Sequence, residues 1–155
     1  MERTFKIIYT SDTHGHIFPV NYAAGCGESS GLLNLAAQID KNGNTLVLDG
    51  GDSLQGTPLV QYYLAHADEF PHHPVAEAFN AMGCDYFTLG NHDFNFGYDA
   101  LRAYLCAMDG VCLCANVQDL GGALPLLPET VHTLKNGLRI GITGIVTDYV
   151  NVWEQ

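Results

Sequence analysis

Basic residues are what this chain has least of. Six Lys and Arg stand against seventeen Asp and Glu, for a formal net charge of −11 at pH 7. A nucleic-acid groove or an anionic membrane surface calls for clustered positive charge, so neither is expected as a partner. If the substrate is a phosphate, its attraction to the chain has to come from bound cations. The opening stretch Met1-Glu2-Arg3-Thr4-Phe5-Lys6 has no long apolar segment, so neither a signal peptide nor a membrane span is read there. The five cysteines, Cys26, Cys84, Cys106, Cys112 and Cys114, are an odd number with no leader. That favours reduced thiols in the cytoplasm; a leader already removed would shift the expected location to the periplasm or cell surface. Repeats, low-complexity tracts and a clear linker are absent. No G-x-G-x-x-G follows a strand, which argues against a Rossmann-like dinucleotide binder.

What is present is an ordinary globular composition, 47% hydrophobic over 155 residues. That length is one domain and buries roughly 70% of its unfolded surface. Strand and helix signals alternate, which predicts βαβ units and an α/β fold with a parallel-rich sheet flanked by helices. Strands are expected at Thr4 to Thr10, Thr45 to Leu48, Asp85 to Leu89 and Val111 to Cys114. Helices are expected at Ser30 to Lys41, ended by Asn42-Gly43, at Pro58 to Ala67 and Pro74 to Met82, each opened by proline, and at Tyr98 to Met108. Asn136-Gly137, between Val131 to Lys135 and Leu138 to Ile142, predicts a two-residue hairpin turn. Tyr62, Tyr63, Phe79, Tyr86, Phe87 and Tyr104 read as core. Cys112 and Cys114 share one strand face and read as small buried hydrophobes.

Three clusters carry the chemistry: Asp12-Thr13-His14, Gly51-Asp52 and Gly90-Asn91-His92-Asp93. Each follows a predicted strand, and loops leaving the carboxyl ends of parallel strands converge on one rim, where ligands bind. Asp12 and His14, two apart, offer a carboxylate and an imidazole to one divalent ion; a turn Asp beside a surface His is the alternative. Asp52 reads either as an Asx-turn or helix cap before Pro58 or as a carboxylate bridging two cations. Two divalent cations about 3.7 Å apart repel by about 18 kcal/mol at an effective dielectric of about 20, so a pair of metals needs an anionic bridge. Asp49 competes for that role but sits at the strand end, where it caps the turn. Asn91 offers an amide oxygen to a second metal and His92 points toward substrate, against a turn Asn and a surface His.

Asp-x-His, then Gly-Asp, then Gly-Asn-His-Asp resembles the calcineurin-like metallophosphoesterases. Gly51-Asp52-Ser53-Leu54-Gln55-Gly56-Thr57-Pro58 and Gly90-Asn91-His92-Asp93-Phe94-Asn95-Phe96-Gly97 are similar to the 5′-nucleotidase and 2′,3′-cyclic-nucleotide phosphodiesterase branch, as are Ala115-Asn116-Val117 and Gly141-Ile142-Thr143-Gly144-Ile145. The resemblance implies that Asp12, His14, Asp52 and Asn91 are metal ligands, with Asp52 bridging, and that His92 is the catalytic histidine near the phosphate. It implies nucleotide or cyclic-nucleotide phosphoester hydrolysis by a hydroxide that two divalent ions (manganese, zinc or iron) activate. Two departures stand out near the histidine. Asp93 occupies a position that often holds Glu, and Asn95 one where many 5′-nucleotidases place an Asp that orients the histidine; Asn there is commoner among cyclic-phosphodiesterase relatives. The family's downstream Gly-His-x-His has no match. His66, His72, His73 and His132 read as surface histidines, and His16 as lining the site without ligating. The expectation is therefore a partial metallophosphoesterase domain over residues 1–155, the first half of an α/β/β/α sandwich. It lacks the nucleoside-binding carboxyl-terminal domain, holds zero or one metal ion and self-associates as a homo-oligomer. A catalytically incompetent, self-associating fragment is the alternative to an active enzyme.

Overall fold

The computed structural model describes residues 2–153. Its elements run β1 (Lys6–Thr10), β2 (Val20–Asn21), β3 (Cys26–Gly27), α1 (Leu32–Ala36), β4 (Thr45–Asp49), α2 (Pro58–Ala65), α3 (Pro74–Met82) and β5 (Tyr86–Phe87). They continue with α4 (Gly97–Ala107), β6 (Val111–Leu113), β7 (Leu126–Leu127), β8 (Glu129–Thr133), β9 (Arg139–Thr143) and α5 (Val150–Trp153). The central sheet is parallel throughout, in the order β1-β4-β5-β6-β7. Its spatial order follows chain order, and right-handed crossovers then put every connecting helix on the same side.

That side holds the main core. Val47, Phe87 and Cys112 from the sheet pack with Leu32, Phe79 and Tyr104 from α1, α3 and α4. The opposite side is set by register: Ile7 pairs with Leu46, Tyr9 with Leu48, and Leu48 with Tyr86. Parallel partners share a face, so these residues point away from the helices. The β8–β9 hairpin reaches this face, where the Tyr86 hydroxyl and His132 Nδ1 are hydrogen-bonded at 3.0 Å. Ile7 and Tyr9 nonetheless remain 48% and 63% exposed.

Several expectations need correction. The predicted Ser30 to Lys41 helix is only five residues of α1. It starts from Gly31 at φ 85° with no side-chain cap, and the following residues turn away through the Ile39 N–H to Ala36 O bond. The Asn136-Gly137 turn is longer than two residues. Gly137 N–H returns to Leu134 O, Lys135 and Asn136 are the central pair, and Gly137 alone takes the left-handed φ of 79°. That is a turn followed by a glycine bulge. Tyr62 is exposed rather than core. His73 is buried, not at the surface, and caps α3 by accepting the Ala76 N–H. His132 is half-buried against Tyr86. The short β2–β3 hairpin and the edge strand β7 were not foreseen. Cys112 and Cys114 are both buried thiols, as expected. Among the described residues, no helix is long and apolar enough to cross a membrane.

Candidate metal centre

The β1–β4 ladder continues beyond the strand ends. Gly50 N–H donates to Thr10 O at 2.8 Å, Asp12 N–H to Gly51 O at 2.9 Å, and His14 N–H to Asp52 O at 2.9 Å. These bonds lay the Asp12-Thr13-His14 loop along the Gly51-Asp52 loop. Among the described residues, the non-glycine positions with positive φ are Asp12 (54°), His14 (47°) and Asp52 (58°). Left-handed backbone costs a residue with a Cβ on the order of 1–3 kcal/mol and persists where the surroundings over-determine it, commonly at functional sites. Here the strained residues are also the candidate ligands. One donor atom from each of Asp12, His14 and Asp52 lies within 4.8 Å of the others.

The tautomer of His14 follows from its partner. Its Nδ1 lies 2.8 Å from Gln55 O, and a carbonyl only accepts, so Nδ1 carries the hydrogen. Nε2 keeps the lone pair that a metal requires. Two carboxylates and one imidazole suit manganese, zinc or iron better than calcium, so the residues fit a divalent transition-type ion.

The third loop is a 3-10 turn over Asn91–Phe94. Half-buried Asn91 opens it. The next residue, His92, donates its backbone N–H to Asp52 Oδ1 at 2.8 Å. The His92 and His14 ring centroids are 5.5 Å apart. Asn95 Nδ2 faces His92 Nδ1 at 3.3 Å. The loops approach so closely that only glycine fits between them: a Cβ on Gly51 would strike the Gly90 nitrogen, and one on Gly90 the Asp52 carboxylate.

Two buried carboxylates support this rim. Asp49 accepts from Gly51 N–H at 2.9 Å, Ser53 Oγ at 3.2 Å and Thr10 Oγ1 at 2.6 Å, so it caps the turn as expected. Burial pushes its pKa up to about 6, against those hydrogen bonds. Asp93, the last residue of the Gly90-Asn91-His92-Asp93 cluster, stands where Glu is common. It is fully buried and accepts backbone N–H groups from Asp52, Ser53, Leu54 and Gly90. Burial raises its pKa while the four N–H groups pull it down. Its one sequence signal was its place directly after Asn91-His92. His16 lines a cleft of about 570 Å³ beside Asp12 and bonds Ser30 Oγ at 3.0 Å. His66, His72, His73 and His132 belong to other parts of the fold: His66 stacks on Tyr62, and His72 lies 3.7 Å from Glu77.

A parallel α/β sheet whose strand-end loops gather carboxylate and imidazole donors at one rim defines an α/β protein with a candidate metal centre. The chain belongs to the calcineurin-like phosphoesterases, a family it matches over residues 5–153. It is 30% identical to the trifunctional nucleotide phosphoesterase protein YfkN of Bacillus subtilis, over 97% of this chain and 12% of that protein. It is also 30% identical to the 2′,3′-cyclic-nucleotide 2′-phosphodiesterase/3′-nucleotidase of Salmonella typhimurium, over 97% of this chain and 26% of that protein. The chain thus spans about an eighth to a quarter of these relatives' length and matches their amino-terminal part. The crystal structure of calcineurin-like phosphoesterase YfkN from Bacillus subtilis superposes with a TM-score of 0.80 at 31% identity, covering 95% of this chain and 49% of that one. A putative 5′-nucleotidase from Staphylococcus aureus gives 0.78 at 31% identity, covering 96% and 30%.

Proposed function

We propose that this chain carries the first metal-binding part of a hydrolase that acts on nucleotide phosphate esters, of the 5′-nucleotidase or 2′,3′-cyclic-nucleotide 2′-phosphodiesterase type. The observation that carries the reading is the convergence of Asp12, His14 and Asp52 donor atoms within 4.8 Å. The names of the relatives support the substrate class. Asn95, where many 5′-nucleotidases carry Asp, favours the cyclic-nucleotide side.

Asp12 and His14 would hold one divalent ion, Asn91 a second, and Asp52 would bridge them. Such ions orient a phosphate and lower the pKa of a nearby water toward neutrality. The residues of the chain supply the rest. His14 presents Nε2 because Gln55 holds its Nδ1 hydrogen. Asn95 donates its amide hydrogen to His92 Nδ1, so a neutral His92 carries its proton on Nε2. That N–H can stabilise charge on a phosphoryl oxygen or protonate the leaving oxygen. The three rim loops contain no Lys or Arg, so phosphate attraction depends on the metals. The five unpaired thiols fit a reducing compartment, which supports the cytoplasm as the location.

The second reading is a self-associating module without turnover. The observation favouring it is the exposed pair Ile7 and Tyr9 on a parallel sheet, a type of sheet that normally buries both faces. The test is hydrolysis of 2′,3′-cyclic AMP and 5′-AMP by the full protein, with and without chelation. Turnover that chelator abolishes and Mn²⁺ restores is expected; chelator-insensitive turnover, or none with metal supplied, contradicts the enzymatic reading.

A further inference from the structure

Two carboxylates stitch the Asp52 loop and the Asn91–His92 loop together in opposite directions. From the first loop, Asp52 Oδ1 accepts the His92 N–H at 2.8 Å. From the second, Asp93 reaches back. Its Oδ1 accepts Ser53 N–H at 2.8 Å and Leu54 N–H at 3.0 Å. Its Oδ2 accepts Asp52 N–H and Gly90 N–H, both at 2.9 Å. One oxygen therefore ties the two loops to each other, and the other oxygen holds the chain just beyond Asp52. This is the neighbourhood in which Asp52 keeps its left-handed φ of 58°.

We propose that Asp93 is the positioning residue of the metal centre: it does not ligate, but it fixes the strained Asp52 backbone and so aims the Asp52 carboxylate at a divalent cation. The inference rests on the metal-centre reading above. Its chemistry is specific to a carboxylate. Four N–H donors need acceptors on both oxygens, and the fully buried Asp93 side chain supplies two acceptors on each. An amide at this position turns an NH₂ group toward two of those donors. Two loop-fixing bonds are then lost, and the released loop relaxes away from a backbone geometry that is otherwise unfavourable. Outer hydrogen-bond partners of metal ligands typically change metal affinity by about 10–100-fold when removed.

The experiment is a Mn²⁺ titration of the chain, read by loss of the paramagnetic resonance signal of free Mn²⁺, at a temperature where wild type is folded. The variants are Asp93→Asn, Asp93→Glu and Val75→Ala. Val75 is fully buried in α3, outside both loops, and serves as a control for lost stability. Asp93→Asn is expected to bind Mn²⁺ about 10–100-fold more weakly than Val75→Ala. Asp93→Glu, which keeps both acceptor oxygens, is expected within about 5-fold of wild type, below that range. The proposal is overturned if Asp93→Asn matches Val75→Ala. It is equally overturned if Asp93→Glu is as weak as Asp93→Asn, since the paired oxygens would then not be what matters. Failure of Asp93→Asn to fold would assign the residue to the fold at large and also overturn it. A wild-type chain that takes up no Mn²⁺ would also overturn the positioning role, since Asp93 would then aim no ligand in this chain, while the metal-centre reading would still answer to the chelation test above.

Discussion

At the scale of single residues, Asn95 is a side chain set against His92 Nδ1, 3.3 Å away. Its amide nitrogen faces Nδ1, so the hydrogen of a neutral ring lies on Nε2. An Asp at 95 would accept from an Nδ1 hydrogen instead and would still orient the ring. In the full protein, His92→Ala should lower kcat by about 10²–10⁴-fold while bound metal, measured by elemental analysis, stays near wild type. Metal lost along with activity would make His92 a ligand. Asn95→Asp acts one bond removed, so its effect on kcat should stay below about 10²-fold at unchanged metal content. A loss as large as that of His92→Ala would give Asn95 a direct role. Asp12, His14, Asp52 and Asn91 were legible as candidates because loops at parallel strand ends share a rim whatever the details of packing. The left-handed backbone of three of them was not legible, because Asp and His adopt it only when the surroundings impose it. Asp93 was illegible as a support for a different reason. Its partners are backbone amides, and three of the four lie some forty residues earlier in the chain.

At the scale of elements, α3 shows where local signals suffice. Pro74 at its first turn and Gly83 in the left-handed region at its end delimit it at the expected residues. The residue before it carries a signal that composition hides. His73 is buried between the rings of Tyr63 and Tyr104, and burial pushes its pKa down to about 4. Between about pH 4 and the ordinary value of 6.5, the unfolded chain protonates this imidazole and the folded chain does not. The unfolded state then binds more protons, so this contribution is complete above pH 6.5 and is lost as pH falls toward 4. Asp49 acts in the opposite sense. Its folded pKa of about 6 against 3.8 makes the folded state hold more protons, and stability falls as pH rises through that window. The two slopes offset in wild type, so the informative quantity is the difference from His73→Asn, which keeps a capping side chain but does not titrate. Urea unfolding should show wild type losing up to about 3 kcal/mol relative to His73→Asn between pH 6.5 and 4. A difference that does not change with pH would place His73 in a more solvated setting. Strand β7 was hidden for a definite reason as well. Leu126-Leu127 lies between Pro125 and Pro128, which argue against a strand, yet at the sheet edge a missing donor costs little.

At the scale of the whole molecule, chain-order strands and right-handed crossovers leave one sheet face without helices. The same fact bears on activity and on assembly. Four candidate ligands fill only part of two coordination shells, so the 155-residue chain should take up at most one Mn²⁺, completed by water, and should hydrolyse 2′,3′-cyclic AMP negligibly. Sustained Mn²⁺-dependent turnover by the purified chain would show that these residues suffice. Assembly follows from β1. It is the edge strand of the parallel sheet, so among the described residues its outer backbone groups have no ladder partner, and its side chains Ile7 and Tyr9 are exposed on the helix-free face. An apolar face joined to an open edge is the combination that favours association between chains. The isolated chain should therefore show a mass above that of a monomer by light scattering, increasing with concentration. Ile7→Lys places a charge within that strand, at a position already 48% exposed, so the fold should tolerate it. It should return the chain to a monomer with an unchanged circular dichroism spectrum. A wild-type chain that stays monomeric as its concentration rises would mean that the hairpin covers this face in solution better than the static exposure of Ile7 and Tyr9 indicates.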